Sequence, residues 1–498
     1  MESIIDVFSY FIDLRFQLFV LIGAIAGLFV GSIPGLSVTM ATALLVSITY
    51  SWNTIDALAT IMGVFVVGVF SGALSALLIN IPGAPSSVVT TLDGYPLTKK
   101  GEAYKALKYA TVYSFIGTVF GLLVLWVLAK PVSSIALKFT PMDSFLICLF
   151  GLATVGTLTS KSFSKGLMSA MIGLVVSMIG IDSVMGTPCL TFGIEDLQAG
   201  IGTVTALVGL FGFAEVLTVI SEGDLTAQVA KVEKNVVKLK DMLKHFPQSM
   251  YYAAIGTFVG ALPGAGGPVA AFLAYGQATK ITKKPSAPFG EGAVEGIVAS
   301  ETANNACIGG ALIPMLTLAI PGDAVTAIML SVFYVHGLQP GPMFIQTNPE
   351  MFHVILAGGL IGAVWVLILG LGLGPKVSKI INVPKRLLLP VVTVLCVIGS
   401  FAGNNRMFDV GLMFAFGILG FFMRRHEYPI APLTLALVLG GTMDASFRRA
   451  ISLASSESNR LFALFGRPIT IVLLVLTILV IASNIPFLKS NKEKKVFD

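Results

Sequence analysis

Charge is scarce in this chain. Asp, Glu, Lys and Arg make up 12% of the 498 residues, about half their share in an ordinary soluble domain. A water-soluble globular fold of this length is excluded. Cysteine is sparse as well: Cys148, Cys189, Cys307 and Cys396 are scattered, mostly within apolar segments, so their spacing gives neither a disulfide framework nor a metal site. The four histidines stand without a Ser-His-Asp, metal-spacing or phosphate-loop pattern around them, which leaves a membrane-embedded enzyme without a reactive constellation. No cofactor motif is present. The first sixteen residues carry Glu2, Asp6, Asp13 and Arg15; lacking a basic n-region, they do not read as a cleaved signal peptide. The net charge of +6 does not imply nucleic acid, because the basic residues sit in short loops between apolar runs.

What fills the chain instead is apolar: 55% of the residues are hydrophobic and the mean hydropathy is +0.89. Uncharged runs long enough to span about 30 Å of hydrocarbon recur, among them Leu18–Tyr50, Ala57–Leu92, Ala110–Ala129 and Pro468–Pro486. Two of these runs are broken by proline and glycine, and the breaks are repeated later. Gly31–Pro34–Gly35 is echoed by Gly260–Pro263–Gly264, and Ile81-Pro82-Gly83 by Ile320-Pro321-Gly322, at offsets of 229 and 239 residues. The chain is a diverged duplication. Its composition predicts an all-α, polytopic membrane protein with discontinuous or re-entrant helices and roughly 10–12 membrane segments. The two repeats are Met1–Gly223 and Asp224–Asp498. Between them, residues 221–248 set Asp224, Lys231, Glu233, Lys234, Lys238, Lys240, Asp241 and Lys244 among Val and Leu at helical spacing, which reads as an amphipathic surface linker and not a binding site.

Loop charge orients the repeats. Dipping the first broken segment in and back sorts 24 of the 32 basic residues into loops on one side, a positive-inside bias. Loop 45–56 has no basic residue where its counterpart 277–296 has three; 97–108 has four where 336–352 has none. Equivalent loops therefore face opposite sides, so the repeats have inverted topology, which suits alternating access. Segment 445–467 resists this count: it falls outside yet holds four arginines.

A backbone break at membrane depth leaves polar groups that only protein, water or ligand can satisfy, and a helix restarting after it offers free N–H donors to an anion. The residues after each break fit that task. Ser37 and Thr39 follow Gly35; Ser86, Ser87 and Thr90 follow Gly83, with Asn80 just before; Gly266 and Gly267 follow Gly264; Asp323 and Thr326 follow Gly322. No Lys or Arg lies within the four segments. A carboxylate substrate would rest on dipoles, hydroxyls and bare backbone at Gly35, Ser37, Thr39, Asn80, Gly83, Ser86, Ser87, Thr90, Gly264, Gly266, Gly267 and Thr326. Acids within the broken segments are confined to Glu301 and Asp323, and an acid at membrane depth is a functional residue by default. Glu301 and Asn305 share a helix face. Glu301, Asn304, Asn305 and Asp323 are the candidate ligands of a coupling cation, Na⁺ or H⁺, although Asp323 also stands where it would cap its own helix. The alternative is a passive anion channel or uncoupled carrier, which predicts uptake without gradient coupling.

Several long motifs occur in one order: Gly31-Ser-Ile-Pro-Gly35, Asn80-Ile-Pro-Gly-Ala-Pro-Ser-Ser-Val88, Leu92-Asp-Gly-Tyr-Pro-Leu97, Gly260-Ala-Leu-Pro-Gly264, Glu301 to Asn305 and Ala319-Ile-Pro-Gly322. With them the chain resembles, over essentially its whole length, the large membrane subunit (TctA type) of the tripartite tricarboxylate transporters. The resemblance implies a multi-pass permease of the bacterial inner (cytoplasmic) membrane. It implies a small membrane subunit and a periplasmic substrate-binding protein as separate partners, the latter delivering citrate or another carboxylate, with uptake driven by a cation gradient. One departure stands out: the residue before Glu301, usually proline in the family, is Ser300.

Overall fold

The chain is described from a computed structural model, which covers residues 2–33, 36–158, 162–182, 186–222, 237, 239–373, 385–457 and 459–484. Pro34, Gly35 and most of the 221–248 linker lie outside the described residues. The described residues are almost wholly helical. The first half runs through α1 (Glu2–Ser9), α2 (Leu14–Ser32), α3 (Val38–Ile48), α4 (Thr54–Ile79), α5 (Val88–Leu97), α6 (Ala103–Ala136), α7 (Pro141–Leu158), α8 (Phe163–Ser177), α9 (Thr203–Leu207) and α10 (Ala214–Glu222). Then come α11 (Leu239–Leu243), α12 (Phe246–Ala261), α13 (Gly266–Ile281), α14 (Val294–Leu318), α15 (Ala324–Val335), α16 (Phe344–Thr347) and α17 (Pro349–Leu373). Helices at Lys385–Asn404, Met407–Arg425, Ile430–Ser455, Arg460–Phe465 and Pro468–Asn484 complete it. The strands among the described residues form one short antiparallel ribbon, Gly180–Ile181 with Pro188–Cys189.

Among the described residues, seven helices are long and apolar enough to cross a membrane, and shorter apolar helices accompany them. This is an all-α polytopic membrane protein. The stretch 97–108, read from its lysines as a loop, is helical: α5 passes into α6 through a π-turn at Thr98–Glu102, kinked at Gly101 with φ +83°. Lysine and glutamate are good helix formers, so charge alone does not end a helix.

The chain divides into two compact units. One comprises 1–133 and 204–421; the other comprises 134–203 and 422–498. In the second, Met142 and Leu146 of α7 pack on Ala450 of the Ile430–Ser455 helix, and Gly173 of α8 lies against the Leu433 carbonyl. Two arginines of segment 445–467 are paired here: Arg448 with Asp182 and Asp444, and Arg467 with the fully buried Asp143.

The first unit is built on two helix pairs, α2 with α4 and α12 with α14, each closed by small residues that let backbones touch. A Cβ added to Gly27 would meet the Val64 carbonyl, and one on Gly31 the Gly68 carbonyl; Gly256 and Gly260 meet Ala303 and Cys307 in the same way. These partners are separated by the two offsets found in the sequence. The breaks repeat as well. α4 ends on Asn80 (φ +59°) and α14 on Ala319 (φ +58°), both left-handed; the N–H groups of Ala319 and Ile320 (3.2 Å) both return to the Pro314 carbonyl. Next, Gly83 folds onto the Gly31 carbonyl and Gly322 onto the Gly260 carbonyl, where a Cβ would lie at 2.2 and 2.4 Å. Only glycine admits that approach.

Candidate substrate and ion site

Two polar loci lie within the first unit, one on either side of adjacent asparagines of α14. The first collects around Asn304. Helix α13 starts at Gly266–Gly267 with no side-chain cap, and both Gly264 and Gly266 take positive φ (+70° and +63°). Without side chains there, α14 and the chain after Gly83 come close: a Cβ on Gly267 would fall 2.3 Å from Asn304 Oδ1 and 3.2 Å from Ser86 Cβ. Asn304 is 2% exposed, and neither Oδ1 nor Nδ2 has a hydrogen-bond partner among the described residues. A buried amide left unpaired is costly, so this one is poised for something that arrives. A helix N-terminus, a serine and an amide donor together suit one carboxylate group.

The second locus centres on Glu301, which is fully buried. Its Oε1 accepts from Thr90 Oγ1 of α5 (2.5 Å) and its Oε2 from Ser114 Oγ of α6 (2.9 Å). Asn305 Nδ2 donates to Ser114 Oγ and to the Glu301 carbonyl (both 2.9 Å), with a longer approach to Oε2 (3.4 Å). Asn305 Oδ1 has no partner among the described residues. No lysine or arginine pairs with the carboxylate among those residues. Such a group offers oxygen ligands to a hard cation or a seat for a proton. Helix α6 reaches this depth because Gly117 and Gly121 abut the carbonyls of Thr302 and Ala306. Helix α14 begins at Val294 and runs through Ser300 unbroken, with Ser300 Oγ bonded back to the Gly296 carbonyl (2.9 Å). Ser300 therefore lies inside the helix, six residues past its start.

The remaining sequence candidates sort by what their side chains touch. Ser87 Oγ accepts from Ala84 N–H (3.2 Å) and donates to its carbonyl (2.9 Å). Thr326 Oγ1 repeats this on Asp323 (2.9 and 3.0 Å), 239 residues on, and Asp323 Oδ1 accepts from Thr326 N–H (2.8 Å) in a full capping box. Ser87, Thr326 and Asp323 thus hold their own turns. Ser37 caps α3 through Met40 N–H (3.1 Å), Thr39 is half-buried on the turn after it, and Asn80 is exposed at the end of α4. Among the described residues no hydrogen bond joins these three to either locus. Thr90 stands with Glu301, not with Ser86. Gly35 lies outside the described residues.

Two residues escaped the sequence reading. Ser114 sits in an unbroken apolar run and nothing in its neighbourhood marks it. Asp93, just past an uncharged run, is 1% exposed; its Oδ1 accepts from the backbone N–H groups of Gly290 (2.8 Å), Gly292 (2.9 Å) and Ala293 (2.8 Å), and its Oδ2 from Tyr275 OH (2.9 Å).

Comparison with known proteins now decides the family. Residues 18–435 match the family model described as tripartite tricarboxylate transporter TctA family. The chain belongs to the TctA family. It is also 33% identical over 475 residues to an Agrobacterium vitis protein described as "Uncharacterized 52.8 kDa protein in TAR-I ttuC' 3'region", covering 95% of this chain and 94% of that protein. A second Agrobacterium vitis protein, described as "Uncharacterized protein in TAR-II ttuC' 3'region", is 35% identical over 240 residues, which is 48% of this chain and 98% of that one. No solved structure matches. TctA proteins are transporters, not enzymes, and belong to tripartite systems, so this chain is a multi-pass component of such a transporter.

Proposed function

We propose that this TctA protein is a cation-gradient-driven secondary transporter that imports a small carboxylate, citrate-like or dicarboxylate, by alternating access. The observation that carries the reading is the pair of loci on one turn of α14. Among the described residues, Asn304 offers an unpaired buried amide beside Ser86 and the bare start of α13, while Glu301, three residues back, holds a carboxylate without a countercharge. The first locus suits one carboxylate of the substrate, the second Na⁺ or H⁺, and occupancy of either favours the other by lowering the cost of its buried charge. The repeated helix pairs support a duplication divided near residue 223, and the opposite charge bias of equivalent loops supports inverted topology; relative motion of the repeats exposes the loci to each side in turn. In this reading the membrane is the bacterial inner membrane, a small membrane subunit completes the permease, and a periplasmic binding protein delivers the substrate.

The test is uptake of a labelled carboxylate panel into proteoliposomes containing the chain and its partner subunits, under imposed Na⁺ or proton gradients. Accumulation of one acid above equilibrium, dependent on one gradient, is the expected result. Equilibration without accumulation overturns the coupled mechanism in favour of a channel or uncoupled carrier.

A further inference from the structure

The Glu301 locus depends on Thr90, and Thr90 depends on where α5 lies along α14. Three residues after Thr90, about one helical turn, Asp93 binds the turn that leads into α14. The N-cap residue there, Ala293, has no side chain able to cap; Ser286 Oγ accepts from the first helical N–H, that of Val294 (2.9 Å), and Asp93, from another helix, binds the turn just before it. One of its oxygens collects three N–H groups from Gly290 to Ala293 and the other takes the Tyr275 hydroxyl. Gly296 adjoins it so closely that a Cβ would lie 2.1 Å from Oδ2, and Gly94 abuts Leu77 of α4, where a Cβ would lie 2.1 Å from Leu77 Cδ2. Together these contacts fix both the height and the rotation of α5. One turn back, on the same face, Thr90 then meets Ser300 (3.4 Å) and Glu301 (2.5 Å).

We propose that Asp93 is a positioning residue for the ion site: by binding the backbone at the head of α14 it sets the register of α5 on α14 and so delivers the Thr90 hydroxyl to Glu301. The inference rests on the reading of Glu301 as the ion site. Asp93 touches neither ion nor substrate in this arrangement. Its effect passes through Thr90 alone, and that makes it separable from a general brace.

The experiment uses the purified full chain in detergent. Its melting temperature is followed as sodium chloride replaces choline chloride at constant ionic strength, and separately through a pH series without sodium. The wild type is expected to respond to one of the two ions. Thr90→Ala and Asp93→Ala should each move the midpoint of that response by about tenfold in sodium, or about one pH unit, the effect of one lost hydrogen bond to a charged group. The double variant should move no further than either single one, because the residues act on one contact. Asp93→Asn keeps an oxygen for the three N–H groups and should stay near wild type. Should Asp93→Ala fail to fold, Tyr275→Phe removes one partner of the carboxylate and should move the midpoint in the same direction, by less. A lower melting temperature with an unmoved midpoint, or midpoint shifts that add in full, overturns the positioning role. A wild type that responds to neither ion overturns instead the assignment of Glu301, and the inference with it.

Discussion

Replacing Asn304 with alanine should separate stability from function, with opposite signs. Among the described residues both polar atoms of the Asn304 amide are buried and unpartnered, and a buried group left so costs about 1–3 kcal/mol. Alanine removes that cost and gains about 0.5 kcal/mol of helix propensity within α14. Against this stands the packing lost with three heavy atoms, on the order of 1–2 kcal/mol by the scale of core truncations. The balance is neutral to stabilising. Binding changes the other way: an amide donor to a carboxylate contributes about 1.5–3 kcal/mol, so its loss should weaken the substrate by about 10- to 150-fold. The assay pairs the melting temperature of the purified chain with the concentration dependence of uptake in proteoliposomes. An unchanged or raised melting temperature together with a large rise in KM is expected. A clear drop in melting temperature with unaltered uptake would show that the amide serves the fold, and the reasoning about the first locus would fail.

Other substitutions test the same architecture. Gly83→Ala and Gly322→Ala press a Cβ against backbone carbonyls and should each cost about 1–3 kcal/mol or more, seen as a lower melting temperature. Gly276→Ala, with nothing within 4 Å of its Cβ, should be neutral or gain up to about 1 kcal/mol; equal behaviour of all three would refute the repeated close approach. Glu301→Gln is expected to fold and to lose gradient-driven accumulation while keeping passive exchange of labelled substrate, and undiminished accumulation would remove the carboxylate from coupling. Ser87→Ala should lower stability by about 0.5–1.5 kcal/mol through its lost bonds to Ala84, whereas Ser86→Ala should lower uptake and leave the melting temperature in place. A reversal of those two outcomes contradicts the assignment of the serines.

The breaks were legible because proline and glycine cannot hide in an apolar run. Pro82-Gly83 and Pro321-Gly322 announce the ends of α4 and α14 without any knowledge of tertiary contacts. Glu301 was legible for a similar reason, as an acid where charge is expensive. What its carboxylate touches was not. Thr90 and Ser114 lie 211 and 187 residues away, and a hydroxyl in an apolar helix is as often bonded to its own backbone as to a partner. Ser87 and Thr326 illustrate that ambiguity: sequence offered them to the substrate, and the fold turns them onto their own turns. Asn304 and Asn305 show a subtler limit. They are adjacent and chemically identical, but about 100° of helical rotation separates them, so one joins the Glu301 cluster and its neighbour is left open to Ser86 and Gly267. Periodicity gives that angle; only the position of the surrounding helices says what each side meets.

The two copies of the broken-helix pair have kept their backbone contacts and divided their chemistry. The residues of α4 that stand 239 positions before Glu301, Asn304 and Asn305 are Met62, Phe65 and Val66, all fully buried. One copy is an apolar counterpart at these positions, while the other carries the acid and the amides. With Asp323 Oδ1 bonded into its own helix cap and Met62, Phe65 and Val66 at the matching places of α4, the reading of Glu301 as the ion site makes the transporter asymmetric, its ion chemistry carried by one copy of the repeat.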